Sequence, residues 1–303
     1  MRPLAAAWTT KLARACPGVA VRLEEPMADH VSFRLGGPAA AMAFPADAGQ
    51  LAALLAFAAG EGLRPQILGA GTNVAPPDEG LDTLVICLAG GLGTLERRGE
   101  HTVAVGAGVP MARAAAFAAR EGLTGLEFAH GIPGTVGGGV FMNAGAYGGE
   151  LCQVVQETTV LRDGRLETVR GEAQGFGYRR SAFQDGGTVI VGALLALAPG
   201  DPEAIRARMR ELAARRRASQ PLELPSAGSA FKRPTGGYAA ALIDQAGCKG
   251  LRVGGAAVSE KHAGFLVNLG GATCADLRAL VAEVQRRVLE SSGILLEPEI
   301  RFL

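Results

Sequence analysis

The sequence predicts a chain of mixed α and β structure, long enough for two or three domains. Three observations carry this expectation. The chain has 303 residues, of which 48% are hydrophobic, enough for sizeable cores. Short apolar runs alternate with segments of helical periodicity. Glycine, at 44 residues, is about twice its usual share of roughly 7%. It falls in blocks without a Gly-X-Y period, which excludes collagen and points to loops where backbone approaches a ligand closely.

The elements follow in order. The opening run, residues 1–8, is too short for a signal-peptide core. Arg2, Lys11 and Arg14 precede the first acid, Glu24. That is a faint transit-peptide trait, and a short amphipathic leading helix is the better reading. Residues 41–44 read as a strand. Asp47 caps a helix running to about residue 61, with Leu51, Leu54, Leu55 and Ala58 on one face. A strand at 66–68 opens onto the loop Gly69-Ala70-Gly71-Thr72-Asn73, and 83–88 is a further strand.

Strands follow at 102–106 and 154–162, with a helix at 110–121 between Pro110 and Gly122. Asp163-Gly164 between two β-rich runs marks a type I′ hairpin. Residues 188–197 form a long apolar strand. A boundary falls at Pro199-Gly200, and Asp201-Pro202-Glu203 starts a helix to about residue 218. The helix 273–292 carries Leu277, Leu280, Val281, Val284 and Val288 at helical spacing and stops at Gly293. A final strand, 295–302, would place Glu297, Glu299 and Arg301 on one face.

Several function classes are disfavoured. A net charge of +1 with 19% charged residues gives no reason to expect nucleic acid or an acidic membrane surface as partner. The arginines between 206 and 217 read as a solvated helix face. The uncharged run 131–149 holds eight glycines, too many for a membrane helix. The five cysteines, Cys16, Cys87, Cys152, Cys248 and Cys274, are odd in number and lack CxxC spacing. They read as mostly buried thiols in a reducing cytoplasm, and no metal site is expected.

Neither G-x-G-x-x-G nor G-x-x-x-x-G-K-[ST] occurs, so a Rossmann site and a P-loop are both unsupported. Two other glycine blocks suit a diphosphate: residues 69–73, and Gly131-Ile132-Pro133-Gly134-Thr135-Val136-Gly137-Gly138-Gly139. Successive backbone N–H groups in such turns form anion-binding concavities. Singly, each block reads first as a tight turn. Together, and without a lysine in either, they suggest a cofactor held by backbone amides. Ser229 alone reads as a loop serine, and with no telling histidine motif a serine hydrolase is poorly supported. Arg179 alone reads as a solvated strand-edge cation, and Glu299 as an exposed terminal acid.

Taken in order, eight blocks resemble one family. They are Ser32-Phe33-Arg34-Leu35-Gly36-Gly37-Pro38-Ala39, Gly69-Ala70-Gly71-Thr72-Asn73, residues 131–138, Asn143-Ala144-Gly145-Ala146-Tyr147-Gly148, Tyr178-Arg179-Arg180-Ser181, Gly228-Ser229-Ala230-Phe231-Lys232, Ser259-Glu260-Lys261-His262-Ala263-Gly264-Phe265 and Glu297-Pro298-Glu299-Ile300-Arg301. The chain resembles the UDP-N-acetylenolpyruvoylglucosamine reductases of peptidoglycan precursor synthesis from about residue 27 onward.

The resemblance implies an α+β fold: a two-lobed FAD-binding domain of the vanillyl-alcohol-oxidase type plus a smaller α+β substrate domain. The lobes would be 1–88 and 89–199. The substrate domain would be 200–303, its last strand packing back toward the active site. Noncovalent FAD is implied, with NADPH as hydride donor, a UDP-sugar as the small-molecule partner, and a cytoplasmic monomer. Arg34, Gly69, Ala70, Gly71, Thr72, Asn73, Val74, Gly131, Ile132, Pro133, Gly134, Thr135, Gly137, Gly138, Gly145 and Val191 would contact FAD. Ser229 would be the proton donor, with Arg179 and Glu299 holding the developing negative charge. Asn143, Tyr147, Tyr178, Lys232, Arg233, Lys261 and His262 would serve the substrate.

Two departures stand out. Pro76-Pro77 falls where the family pattern leads one to expect an apolar pair. No tyrosine lies between Arg179 and Ser229, so the chain resembles the branch lacking a tyrosine loop over the substrate.

Overall fold

The structure, a computed structural model, describes residues 10–303. Residues 10–15 are helical, and the rest of the expected leading helix lies outside the described residues. The chain divides into two compact units, each with its own core. The first comprises residues 10–24, Ala40–Ala70 and Asp82–Arg215; the second comprises Glu25–Ala39, Gly71–Leu81 and Arg216–Leu303.

These borders differ from divisions at 88 and 199, and packing gives the reason. Ile205 and Met209 of the helix Pro202–Ser219 belong to the first core, so that helix lies mainly with the preceding chain. Phe33, Leu35 and Ala75 belong to the second core, which draws two early segments out of the first unit.

The first unit holds two main sheets. One has four strands in the order Ala20–Pro26, Pro38–Phe44, Leu81–Cys87 and Gln66–Leu68, the last two parallel. The helix Ala48–Gly60 follows the second of these strands. Asp47 caps it by accepting from the Gln50 N–H at 2.9 Å, which satisfies one of the amides a helix start leaves unpaired. The other sheet is antiparallel, in the order Arg165–Arg170, Val155–Arg162, Val189–Ala196, Thr102–Gly106 and Leu95–Arg97. Its first two strands form the expected hairpin, with Asp163 at φ 47° and Gly164 at φ 74°. Both values are positive, as a type I′ turn requires.

The second glycine block is not a loop throughout. From Val136 it becomes the helix Val136–Met142, capped by Thr135, whose Oγ1 accepts from the Gly138 N–H at 3.4 Å. Glycine is a poor helix former, so local propensity hides this helix. Packing requires it. A Cβ at Gly137 would lie 2.8 Å from the Ala107 Cβ, and one at Gly139 would lie 2.8 Å from Leu151 and Met111.

The second unit is a four-stranded antiparallel sheet in the order Ser226–Ser229, Phe265–Asn268, Ala256–Val258 and Arg252–Val253. The helix Cys274–Ser292 buries Leu277, Leu280, Val281, Val284 and Val288, the face expected from their spacing. Thr273 caps its start in a reciprocal box with Asp276, and Gly293 ends it at φ 71°. The Asp78 carboxylate also accepts from the Cys274 N–H at 2.6 Å and the Ala275 N–H at 2.9 Å. Pro76-Pro77 therefore belongs to a turn that delivers a second cap to this helix.

The expected final strand is shorter. Only Arg301–Phe302 lies in a ladder, parallel to Val74–Ala75. Before it the chain makes one bridge, Pro298 to Phe231. Proline has no N–H to give a ladder, so the segment is extended but pinned at points. Alternation survives: Leu296 and Ile300 are buried, Glu297 and Arg301 exposed.

Asn268, 6% exposed, is a hub that the sequence did not flag. Its Nδ2 donates to the Phe33 and Arg34 carbonyls at 2.9 and 3.3 Å, and its Oδ1 accepts from the Gly270 and Ala272 N–H groups at 2.8 and 3.1 Å. Arg34 sits at φ 55°, a conformation disfavoured for a side chain and held by its surroundings. Asn268→Ala would leave several buried polar groups unpaired. It is expected to cost about 3 kcal/mol, read as a lower denaturation midpoint; an unmoved midpoint would refute the hub.

Among the described residues no helix is long and apolar enough to cross a membrane.

Candidate active site

In the first unit the two glycine blocks meet. A Cβ at Gly69 would lie 2.8 Å from the Thr135 Oγ1. The strand Gln66–Leu68 delivers the first block, and the cap of the helix Val136–Met142 delivers the second. A Cβ at Gly138 would meet only the Thr135 Oγ1, at 3.7 Å, so that face of the block stays open to a ligand. Bare backbone from two sides, with no lysine, fits a diphosphate held by amides. Ile132, Pro133 and Gly134 lie on the turn that leads to this cap, Gly134 at φ 129°. Val191 packs its side chain into the core, and its carbonyl accepts from the Ala107 N–H at 2.9 Å.

The same unit holds the arginine motif. Gly177 and Arg180 bridge across a tight turn that places Arg179 at φ 55°. The Arg179 guanidinium lies 5.0 Å from the centre of the Tyr178 ring and donates to the Gly145 carbonyl at 3.1 Å. Tyr147, at φ 53°, is 40% exposed.

Asn143 lies at the C-terminal end of the helix Val136–Met142. It is 1% exposed and caps the helix Val136–Met142 at φ 43°. Its Nδ2 donates to the Gly177 carbonyl at 2.9 Å and the Glu150 carboxylate at 3.1 Å, and its Oδ1 accepts from the Cys152 N–H at 2.9 Å. A buried amide engaged in this way positions the arginine turn.

In the second unit Gly71 takes φ 63°, and a Cβ there would lie 2.0 Å from the His30 carbonyl oxygen. The Ser32 N–H donates to the Gly71 carbonyl at 3.0 Å. The His30 Nε2 lies in hydrogen-bond contact with the Glu25 carboxylate at 2.7 Å, a contact that no motif announces.

The strand Ser226–Ser229 carries a one-residue bulge against Phe265–Asn268. Ser226 faces Val267 and Ser229 faces Phe265, with Gly228 at φ 78° between them. A bulge re-aims a side chain, and Ser229 is exposed between the buried Ala227 and Ala230. Its hydroxyl makes one long contact, 3.4 Å to the Phe231 carbonyl. Glu299 is brought beside it. The Glu299 N–H donates to the Ala230 carbonyl at 2.8 Å, and the Asn73 Nδ2 donates to the Glu299 carbonyl at 3.0 Å.

Lys232 pairs with Glu297, while Arg233 stacks over the exposed Tyr238 ring, 4.2 Å from its centre. Lys261 donates to the Arg217 carbonyl at 2.8 Å. His262 is half-buried, its Nδ1 accepting from the Gly264 N–H at 3.1 Å. Burial chiefly, with the charge of Lys249 adding, holds its pKa below the ordinary histidine value. Cys16, Cys87, Cys248 and Cys274 are buried, and burial pushes their thiols up; Cys152 is exposed.

Residues 220–303 match the C-terminal domain of UDP-N-acetylenolpyruvoylglucosamine reductase, and residues 39–170 match an FAD binding domain. A UDP-N-acetylenolpyruvoylglucosamine reductase of Streptococcus pneumoniae is 43% identical over 97% of both chains. The chain belongs to the UDP-N-acetylenolpyruvoylglucosamine reductase family. A further reductase of this name, from Symbiobacterium thermophilum, is 46% identical over 93% of this chain and 91% of its own. The crystal structure of the Thermus caldophilus reductase superposes with a TM-score of 0.80 at 37% identity, covering 94% of this chain and 98% of that one.

Membership of the reductase family bears out the α+β class with its FAD-binding domain and makes the chain an FAD-dependent oxidoreductase of peptidoglycan precursor synthesis. Ser229, Lys232 and Glu299 lie inside the matched reductase domain. Arg179 and Val191 lie between the two matched segments.

Proposed function

We propose that this chain reduces the enolpyruvyl ether of UDP-N-acetylglucosamine to UDP-N-acetylmuramate with NADPH, acting as a cytoplasmic monomer, and that Ser229, Arg179 and Glu299 carry the chemistry. Bound FAD supplies a hydride taken from NADPH. Residues 69–74, 131–135, Gly137, Gly138, Gly145 and Val191, with Arg34, would hold that cofactor, by backbone and by one cation.

Hydride enters at the terminal vinyl carbon. Negative charge then moves to the neighbouring carbon and its carboxylate. The Arg179 guanidinium meets that charge directly, which is worth most in a site shielded from water. Glu299 helps only as an acid or through a hydrogen-bonded neighbour. The Ser229 hydroxyl then gives its proton to the charged carbon. A hydroxyl is a weak acid in water, but it serves against a strongly basic carbanion or enolate held within hydrogen-bond reach. Solvent returns the proton to Ser229. Asn143, Tyr147, Tyr178, Lys232, Arg233, Lys261 and His262 would serve the nucleotide and sugar.

The observation that carries this reading is the presentation of Ser229. It is exposed on a bulge, and the neighbouring Ala230 carbonyl holds the Glu299 backbone. The purified protein is expected to show a flavin spectrum and to turn over NADPH beyond one equivalent per flavin only when the enolpyruvyl UDP-sugar is present. A colourless protein that binds no FAD would overturn the proposal. Rapid oxygen use with a simple alcohol would favour an oxidase instead.

A further inference from the structure

The family pattern assigns Asn73 to the flavin loop, yet its side chain is bonded elsewhere. The Asn73 Nδ2 donates to the Glu299 carbonyl at 3.0 Å, and the Asn73 carbonyl accepts from the Arg301 N–H at 3.0 Å. These two bonds grip the chain on either side of Ile300. The next residues continue the grip as a short parallel ladder, Arg301 to Val74 and Phe302 to Ala75.

We infer that the Asn73 side chain is a positioning residue for Glu299, a clamp that couples the flavin loop to the acid. The inference rests on the reading above that Glu299 holds developing charge. Glu299 has no full ladder around it, because Pro298 precedes it and only Arg301–Phe302 pair as a strand. Its backbone is fixed by two bonds instead. The Glu299 N–H reaches the Ala230 carbonyl at 2.8 Å, next to Ser229, and the Glu299 carbonyl receives the Asn73 amide.

The two bonds act on opposite ends of one residue. Together they set where its carboxyl lies relative to Ser229. Loss of one leaves a hinge at the residue whose placement matters. A misplacement of about 1 Å in a reacting group costs on the order of a hundredfold in rate.

Asn73→Asp isolates the clamp. It keeps the side-chain shape and leaves the backbone bond to Arg301 in place, but it removes the N–H and sets an acceptor against the Glu299 carbonyl. Flavin affinity, measured by fluorescence quenching, and flavin bleaching by NADPH are expected to change far less than the recovery step, because this loop meets the cofactor through its backbone. Recovery of flavin colour on adding the enolpyruvyl UDP-sugar is expected to slow about a hundredfold. The amide of Glu299 is expected to exchange faster with deuterium, since it would open more often. Asn73→Ala should behave in the same way.

Unchanged colour recovery together with unchanged amide exchange would overturn the clamp. So would a parallel fall in flavin affinity and bleaching, because the side chain would then serve the cofactor. A parent protein that takes up FAD but is never reoxidised by the UDP-sugar would instead overturn the proposed function, while amide exchange would still test the clamp by itself.

Discussion

Replacing Ser229 with alanine is expected to leave NADPH-driven bleaching of the flavin intact and to slow its recovery on the UDP-sugar by about a thousandfold. Positioned acid catalysis contributes on the order of 10² to 10⁴ in rate, and here the donor acts against a carbanion that water would have to reach instead. The side chain is exposed, and its hydroxyl makes a long 3.4 Å bond to the Phe231 carbonyl. Its removal should therefore change stability by no more than about 0.5 kcal/mol. Stopped-flow absorbance separates the two half-reactions, and thermal denaturation checks the fold. Equal slowing of both half-reactions would mean that Ser229 is not the proton donor.

Arg179→Gly is expected to lose about 10² to 10³ in kcat/KM, the cost of removing one charge-stabilising donor, while keeping its stability. The retained stability follows from the backbone. Arg179 sits at φ 55° in a turn closed by Gly177 and Arg180. That conformation costs a residue with a Cβ about 1–2 kcal/mol. Glycine relieves this strain but adds about 0.5–1 kcal/mol of unfolded-state entropy. The variant also loses a hydrogen bond to the Gly145 carbonyl, worth about 1 kcal/mol, and a partly exposed contact with the Tyr178 ring, about 0.5 kcal/mol. These terms nearly cancel.

Arg179→Ala keeps the strain and should melt below the glycine variant. The pair separates the function of the guanidinium from the integrity of its turn. An active Arg179→Gly enzyme would remove Arg179 from the chemistry, and an unfolded one would refute the strain argument.

The strained arginine illustrates what a linear reading can and cannot reach. The motif Tyr178-Arg179-Arg180-Ser181 was legible as a block. Its left-handed turn was not, because arginine gives no local sign of a positive φ. Asn143 shows a second limit. It stands in a glycine-rich block that invites a ligand role, and its amide also bonds Gly177, Glu150 and Cys152. Spacing along the chain does not reveal that two backbone groups and one carboxylate converge on one side chain.

Glycine misled in a similar way at residues 136–142. Composition suggests a loop, and close packing against Ala107, Met111 and Leu151 makes a helix. Pro76-Pro77 looked like a departure and turned out to place Asp78 as a cap for a helix almost two hundred residues later.

The sequence by itself determined the period-driven elements: the capped helices at Ala48–Gly60 and Cys274–Ser292, the Asp163-Gly164 hairpin and the strands near residues 41–44, 66–68, 83–88, 102–106, 154–162 and 188–197. Their signals are local, carried by side-chain periodicity, capping groups and turn residues within a few positions. Ordered motifs also determined the family and its cofactor. Only the tertiary structure decided how residues far apart share an anchor. It placed Gly69 against Thr135, opened the bulge that exposes Ser229, and fixed Glu299 between Ala230 and Asn73. The physical reason is the same each time. Buried backbone groups must find partners, and which partner each one finds depends on packing that no short stretch of chain encodes.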